Sequence, residues 1–149
     1  MRVGVPTGLA AFALTIAGAL STASAATNWT YVEDFYNDCL KVTSSTPFHG
    51  SCSGGSSTLW HWGTESNSWQ GHTMRRLVSN FTGDCLTTAD NPGGNSVWLS
   101  PCGGDRSGQF WTADNSRIQN QNGNFLWAED ASLLQSGSII VDKWTGTHD

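Results

Sequence analysis

Charge and long apolar runs are what this sequence has least of. Of its 149 residues only 13% are charged, 7 basic against 12 acidic, for a net charge of −5 at pH 7. So few basic residues, with no cluster among them, offer nothing to a nucleic acid backbone. The acidity speaks for solubility and names no ligand. A bilayer-spanning helix needs about 20 apolar residues, and the longest apolar run, Leu9 to Leu20, has 12. No membrane partner is expected. Helical periodicity is almost absent, which excludes a helical core.

Catalytic constellations are missing too. A glycosidase needs two carboxylates facing each other across a cleft, whereas the pairs Glu33-Asp34 and Glu129-Asp130 are adjacent, and neighbours on a strand or turn point apart. His49, His61, His72 and His148 have no serine or cysteine nucleophile in a recognisable context. There is no Cys-x-x-Cys spacing, so zinc is not expected. The reading assigns no catalytic residue, no cofactor and no metal ligand. At position 49 a buried, hydrogen-bonded His is expected.

What is present begins with a leader. Arg2 supplies a positive start, the apolar run follows, and Ala23-Ser24-Ala25 has the small-residue pattern of a cleavage site, so residues 1–25 are expected to be a signal peptide of an exported, extracellular protein. Removing them leaves residues 26–149, enough for one domain, with 6 basic and 12 acidic residues and a charge of −6. The four cysteines, Cys39, Cys52, Cys85 and Cys102, all lie in this part. An even count in an exported chain implies bridges, and four cysteines allow three pairings.

Internal repetition selects one pairing. Leu77 to Leu86 ends in Asp84-Cys85-Leu86; a turn about Pro92-Gly93-Gly94-Asn95 follows, then Val97 to Cys102, then Gln109-Phe110-Trp111. Short apolar runs punctuated by Gly, Asn, Asp and Pro read as four strands with tight connections. Tyr31 to Leu40 matches Leu77 to Leu86 without a gap, and Pro47 to Cys52 matches Val97 to Cys102. Cys39–Cys52 and Cys85–Cys102 then occupy equivalent places, each bridge contributing about 3 kcal/mol by constraining the unfolded chain. Trp60-His61-Trp62 takes the place of Gln109-Phe110-Trp111, with Trp69 an alternative closing Trp, and Gly63 to Gly71 reads as an inserted loop. A third repeat opens at Ile118-Gln119-Asn120 and passes through Phe125-Leu126; Ser138 to Trp144 aligns with Ser96 to Cys102, placing Phe125 and Trp144 where the other repeats have cysteines. The repeats run over about 31–76, 77–117 and 118–149. Three four-stranded repeats that cannot bury their apolar faces singly imply a closed, threefold all-β arrangement.

These residues resemble the ricin-type β-trefoil domain, the Q-x-W lectin repeat of lectins and of carbohydrate-binding modules in secreted bacterial enzymes. The opening is Tyr, Leu or Ile, then Glu, Ser or Asn two places on, then Cys-Leu; the middle is Leu99-Ser100-Pro101-Cys102 and the end Gln109-Phe110-Trp111. The likeness covers Tyr31 to Trp144 and is most specific in the second repeat. It implies a β-trefoil whose third repeat is incomplete, because the chain stops at Asp149 before a third Q-x-W element. That would leave two strand edges open, to be filled by residues 27–31, by missing chain, or by a partner.

The resemblance also implies sugar sites, but the family's acidic residue is replaced here by Lys41, Thr87 and Trp127, and its stacking aromatic by Gly50, Ser100 and Asp142. Phe48, Trp98 and Ile140 replace the polar residue before that aromatic, and only Gln109 survives. A pyranose can still be held by an aromatic platform beside hydroxyl-binding polar groups. Trp98 with Asp90, Asn91 and Asn95 supplies these in repeat two, and Trp127 with Glu129 and Asp130 in repeat three. Among the 8 Trp, Trp111 is expected to be structural, and Trp60, Trp69 and Trp98 are expected to be exposed. The expected function is non-catalytic carbohydrate binding, with a protein partner, such as a secreted hydrolase to be inhibited, as the alternative. Peptide mapping of the unreduced protein should link Cys39 to Cys52 and Cys85 to Cys102; any other pairing overturns the repeat alignment.

Overall fold

The structure, a computed structural model, describes residues 25–91, 93–104 and 107–149, Ser132 by its backbone alone. The expected leader therefore lies outside the described residues, apart from Ala25. Twelve strands form one antiparallel sheet, with only short 3-10 turns between them. They fall into three consecutive units: β1 (Trp29–Glu33), β2 (Cys39–Val42), β3 (Pro47–Gly50) and β4 (Trp60–Trp69); β5 (His72–Ser79), β6 (Cys85–Thr88), β7 (Asn95–Ser100) and β8 (Phe110–Thr112); β9 (Gln119–Asn120), β10 (Phe125–Ala128), β11 (Leu134–Gly137) and β12 (Trp144–His148). The middle two strands of each unit pair as a hairpin. The six outer strands join edge to edge in the order β12–β1–β4–β5–β8–β9.

Each unit repeats three local devices. The first strand sends Tyr31, Leu77 or Ile118 into the core and, two residues later, a polar side chain that holds the following turn. Glu33 does this by accepting the backbone N–H groups of Phe35 and Tyr36 at 2.7 Å and Asp38 at 3.1 Å, Ser79 through Phe81 and Thr82, and Asn120 through Asn122. The second strand buries Leu40, Leu86 or Leu126. At or next to the start of the fourth is a buried Trp whose indole N–H donates to that leucine's carbonyl: Trp60 to Leu40 at 3.0 Å, Trp111 to Leu86 at 2.9 Å, Trp144 to Leu126 at 3.0 Å. A buried indole donor left unpaired would be costly, so this bond fixes where each fourth strand starts.

The bridges Cys39–Cys52 and Cys85–Cys102 form as the repeats require, with Cα separations of 5.0 and 5.1 Å. His49 is buried with both ring nitrogens on oxygens, Asp38 Oδ2 at 2.9 Å and the Glu129 carbonyl at 2.6 Å.

Four expectations are overturned. The third unit has its fourth strand: β12 pairs with β1 over five residues, from Trp29 with His148 to Glu33 with Trp144, so neither missing chain nor a partner strand is needed on that edge of β1. The third strand of that unit is Leu134–Gly137, not Ser138 to Trp144, and Trp144 is its closing Trp rather than the substitute for a cysteine beside Phe125. In the first unit Trp60, not Trp62 or Trp69, closes the repeat, and Trp60 is 0% exposed where exposure was expected. Gly63 to Gly71 is not a loop: β4 and β5 continue as a hairpin to Trp69 and His72, turning at Gln70 and Gly71 with φ of 46° and 80°. That left-handed pair matches the twist of the flanking strands.

Gln109 is fully buried, and its amide ties three segments together: its oxygen accepts from Arg76 and from the Gly103 N–H, and its nitrogen donates to Ser100 Oγ at 2.7 Å and the Pro101 carbonyl at 3.0 Å. Trp144→Phe should lower unfolding free energy by about 1–3 kcal/mol by leaving the Leu126 carbonyl unpaired, and Trp144→Ala by about 3–5 kcal/mol. Chemical denaturation of the two variants checks the order; an unchanged stability in Trp144→Phe would show that the hydrogen bond contributes nothing.

Candidate functional site

The third unit meets the first in a groove of about 440 Å³. The β1–β2 turn supplies Asp34, Phe35 and Tyr36; the end of β10 supplies Trp127, Glu129 and Asp130; the segment before β12 supplies Ile139, Val141 and Asp142. Of the sequence candidates, Trp127, Glu129 and Asp130 are thus brought together. Trp127 is largely buried, its indole N–H donating to Glu129 Oε1. The exposed aromatic surface belongs to Phe35, 76% exposed and edge-on to Tyr36 at 4.7 Å between ring centres. Tyr36 lies over the His49 ring at 4.8 Å and donates its hydroxyl to Asp130 Oδ1 at 2.6 Å. That bond, then burial and the nearby carboxylates, push the Tyr36 phenol up to about 12.

The groove is rich in acceptors. Glu33, Asp34 and Asp142 bring carboxylate oxygens within 4.8 Å of one another, and carboxylate oxygens of Glu33 and Asp38 lie within the same distance of each other and of a His49 ring nitrogen. These groups are engaged by the chain itself: Glu33 holds its turn, Asp34 accepts from the Lys143 N–H at 2.8 Å, and Asp142 accepts from the Ala128 N–H. The cluster therefore reads as a turn-holding network. Against expectation Glu33 and Asp34 do not point apart: a carboxylate oxygen of each lies within 4.8 Å of the other, Glu33 being buried and Asp34 exposed.

Repeat two is arranged differently. Trp98 projects from β7 at 40% exposure, as expected, and Asp90 and Asn91 are exposed in the loop before it. Asn95 is buried and bonded to the Asn91 N–H and carbonyl, both at 3.0 Å, so it shapes the loop. Neither Asn95 nor Gln109 presents its amide to a ligand.

A second concavity, about 610 Å³, is lined by outer strands and the turn after β8, and by none of the three hairpins. Trp29 and Tyr31 of β1, Trp62 of β4, Arg75 of β5 and Gly146 of β12 line it. A Cβ at Gly146 would stand 2.7 Å from the Tyr31 ring, so the aromatic wall requires glycine there. Sequence reasoning missed this concavity and the Phe35-Tyr36 contribution to the first. An aromatic pair in a turn, where burial is not expected, was the readable signal for the latter.

No protein-family model matches the sequence, and no curated protein matches it. Among solved structures, the chain is similar to a GlcNAcα1-4Gal-releasing endo-β-galactosidase from Clostridium perfringens, with a TM-score of 0.62, 15% identity, and coverage of 83% of this chain and 32% of that one. It is also similar to the protein of the PSL1a–E64 complex, with a TM-score of 0.64, 13% identity, and coverage of 85% and 50%. The likeness shows a shared fold, and the chain spans half or less of either protein.

Asp142 carries the clearest electrostatic cost in the groove. Burial raises its pKa above the usual carboxylate range, as do the charges of Glu33 and Asp34, against the Ala128 N–H and His49, which lower it. A carboxyl whose folded pKa is raised contributes stability only when protonated, and that contribution is lost as pH rises through the folded value. Asp142→Asn keeps an acceptor for Ala128 and removes the charge. Its melting temperature should exceed that of the parent at pH 7, the gap closing as pH falls below the carboxylate range; a gap that widens on acidification would contradict this account.

Proposed function

We propose that this chain is a secreted, ricin-type β-trefoil domain over residues 26–149 that binds carbohydrate without catalysing a reaction. The leader pattern and the two bridges support export. The threefold recurrence of turn, leucine and closing Trp supports the trefoil. The observation that carries binding is the groove between units one and three, where exposed Phe35 and Tyr36 stand beside Glu129, Asp130 and Asp34. An apolar sugar face can lie on the aromatic surface while hydroxyl groups donate to the carboxylates. Such an acceptor-rich groove favours neutral, hydroxyl-bearing ligands and repels anions. The likeness to part of an endo-β-galactosidase, a protein named for a glycan, agrees with this ligand class.

A glycan array with polysaccharide pull-down tests the reading. The protein should retain a neutral glycan, and Phe35→Ala should weaken retention by about five- to tenfold, the worth of one aromatic contact. Phe35 is so exposed that its melting temperature should not change. Trp98→Ala, in a separate unit, should likewise leave melting intact and reports whether repeat two adds a site. Absence of any retained sugar would favour a protein ligand instead.

A further inference from the structure

The concavity among the outer strands has the opposite chemistry to the groove described above. Alternate residues of the outer strands climb from the core toward this mouth: Leu77, Arg75 and Thr73 along β5, Trp60 and Trp62 along β4, Tyr31 and Trp29 along β1. Trp29 and Tyr31 are parallel, 9° apart in plane, and Trp62 stands nearly perpendicular to Tyr31 at 82°, so two aromatic walls meet at a corner.

Two of the polar groups here, the Tyr31 hydroxyl and the Arg75 guanidinium, have protons to donate. Tyr31 is 1% exposed, and its hydroxyl accepts the Trp62 indole N–H at 2.9 Å. No acceptor among the described residues takes its own proton, and burial pushes this phenol up to about 12, so it keeps that proton. Among the described residues the Arg75 guanidinium makes a single hydrogen bond, at 3.4 Å to the Gly63 carbonyl. Its neighbour Arg76 differs fully, being committed to Glu65, Gln109 and Gly104 and lying 4.6 Å over the Phe110 ring. The acidic group at the rim, Asp114, is held by His72 Nδ1 at 2.7 Å. An uncommitted guanidinium and a buried spare O–H at an aromatic corner call for a ligand with a flat apolar face and a carboxylate.

We propose that this mouth is a second saccharide site, taking a carboxylate-bearing pyranose, a hexuronate, with Arg75 on the carboxylate, Tyr31 donating from the floor, and Trp29 and Trp62 as walls. At about 610 Å³ it holds a disaccharide. The site shares no residue with the groove between units one and three and does not rest on that reading.

Titration calorimetry at low salt with α1-4-linked digalacturonate, and with the uncharged α1-4-linked galactose disaccharide as control, tests it. The acid should bind about tenfold or more tightly than the control, the worth of a charge-assisted contact. Arg75→Gln should erase the difference, and Tyr31→Phe should weaken the acid several-fold. Phe35→Ala should change neither. Arg75 is exposed, so an unchanged melting temperature confirms that the Gln variant is folded; if it does not fold, raising salt must abolish the preference in the parent protein. Equal affinities, no heat at about 10 mM ligand, or a loss in Phe35→Ala that Arg75→Gln does not share would overturn the assignment. Each of those failures leaves neutral glycan binding at the other groove intact.

Discussion

Three buried indole donors, each needing an acceptor, impose the order of this molecule. In every unit the acceptor is the carbonyl of the leucine that fills the core from the second strand, so one bond sets both the depth of the Trp and the start of the closing strand. With those starts set, the outer strands meet edge to edge, and the last of them, β12, pairs with the first, β1. The side chains at 33, 79 and 120 differ in chemistry, Glu, Ser and Asn, yet each offers an oxygen to the same turn. Conserving the acceptor rather than the residue type lets a buried Glu stand in a core without a cationic partner, since backbone N–H groups compensate it.

Much of this was legible along the chain. The Cys-Leu spacing and the turn residues showed the repeats and hence the bridges, and position 49, where a repeat expects leucine, correctly announced a buried polar group. The third unit was misread because Ile139-Ile140-Val141 is the stronger apolar run and so reads as a strand. In the structure those three residues are exposed, and the true strand, Leu134-Gln135-Ser136-Gly137, is mostly polar. Gly137 is buried where a larger residue would strike Trp127, 2.6 Å from a Cβ placed there, so the strand is chosen by space rather than by hydrophobicity. The readable clue was the spacing Asp142-x-Trp144, which echoes Gln109-x-Trp111 more faithfully than the apolar run does.

The grooves were less legible because they are assembled from distant segments. Tyr36 and Asp130, in contact through a hydrogen bond, are 94 residues apart. A repeat-by-repeat search places sites within units and cannot see one that lies between the first and the last. It also credited Asn95 and Gln109 with ligand roles because their amides suit sugars, whereas both amides are consumed in shaping their own loops. What survives is a division of polarity, carboxylates at one groove and an uncommitted guanidinium at the other, on a chain with few charges to distribute.

The pairing of Trp29 with His148 brings the two extremities of the described fold side by side. Joining them with a short linker and reopening the chain at the Gln70-Gly71 reversal would preserve every unit and every bridge, since that turn protrudes and its tip is exposed. For the same reason, any polypeptide attached before the first strand and any attached after the last would emerge as neighbours, leaving the hairpin-bearing surfaces unobstructed.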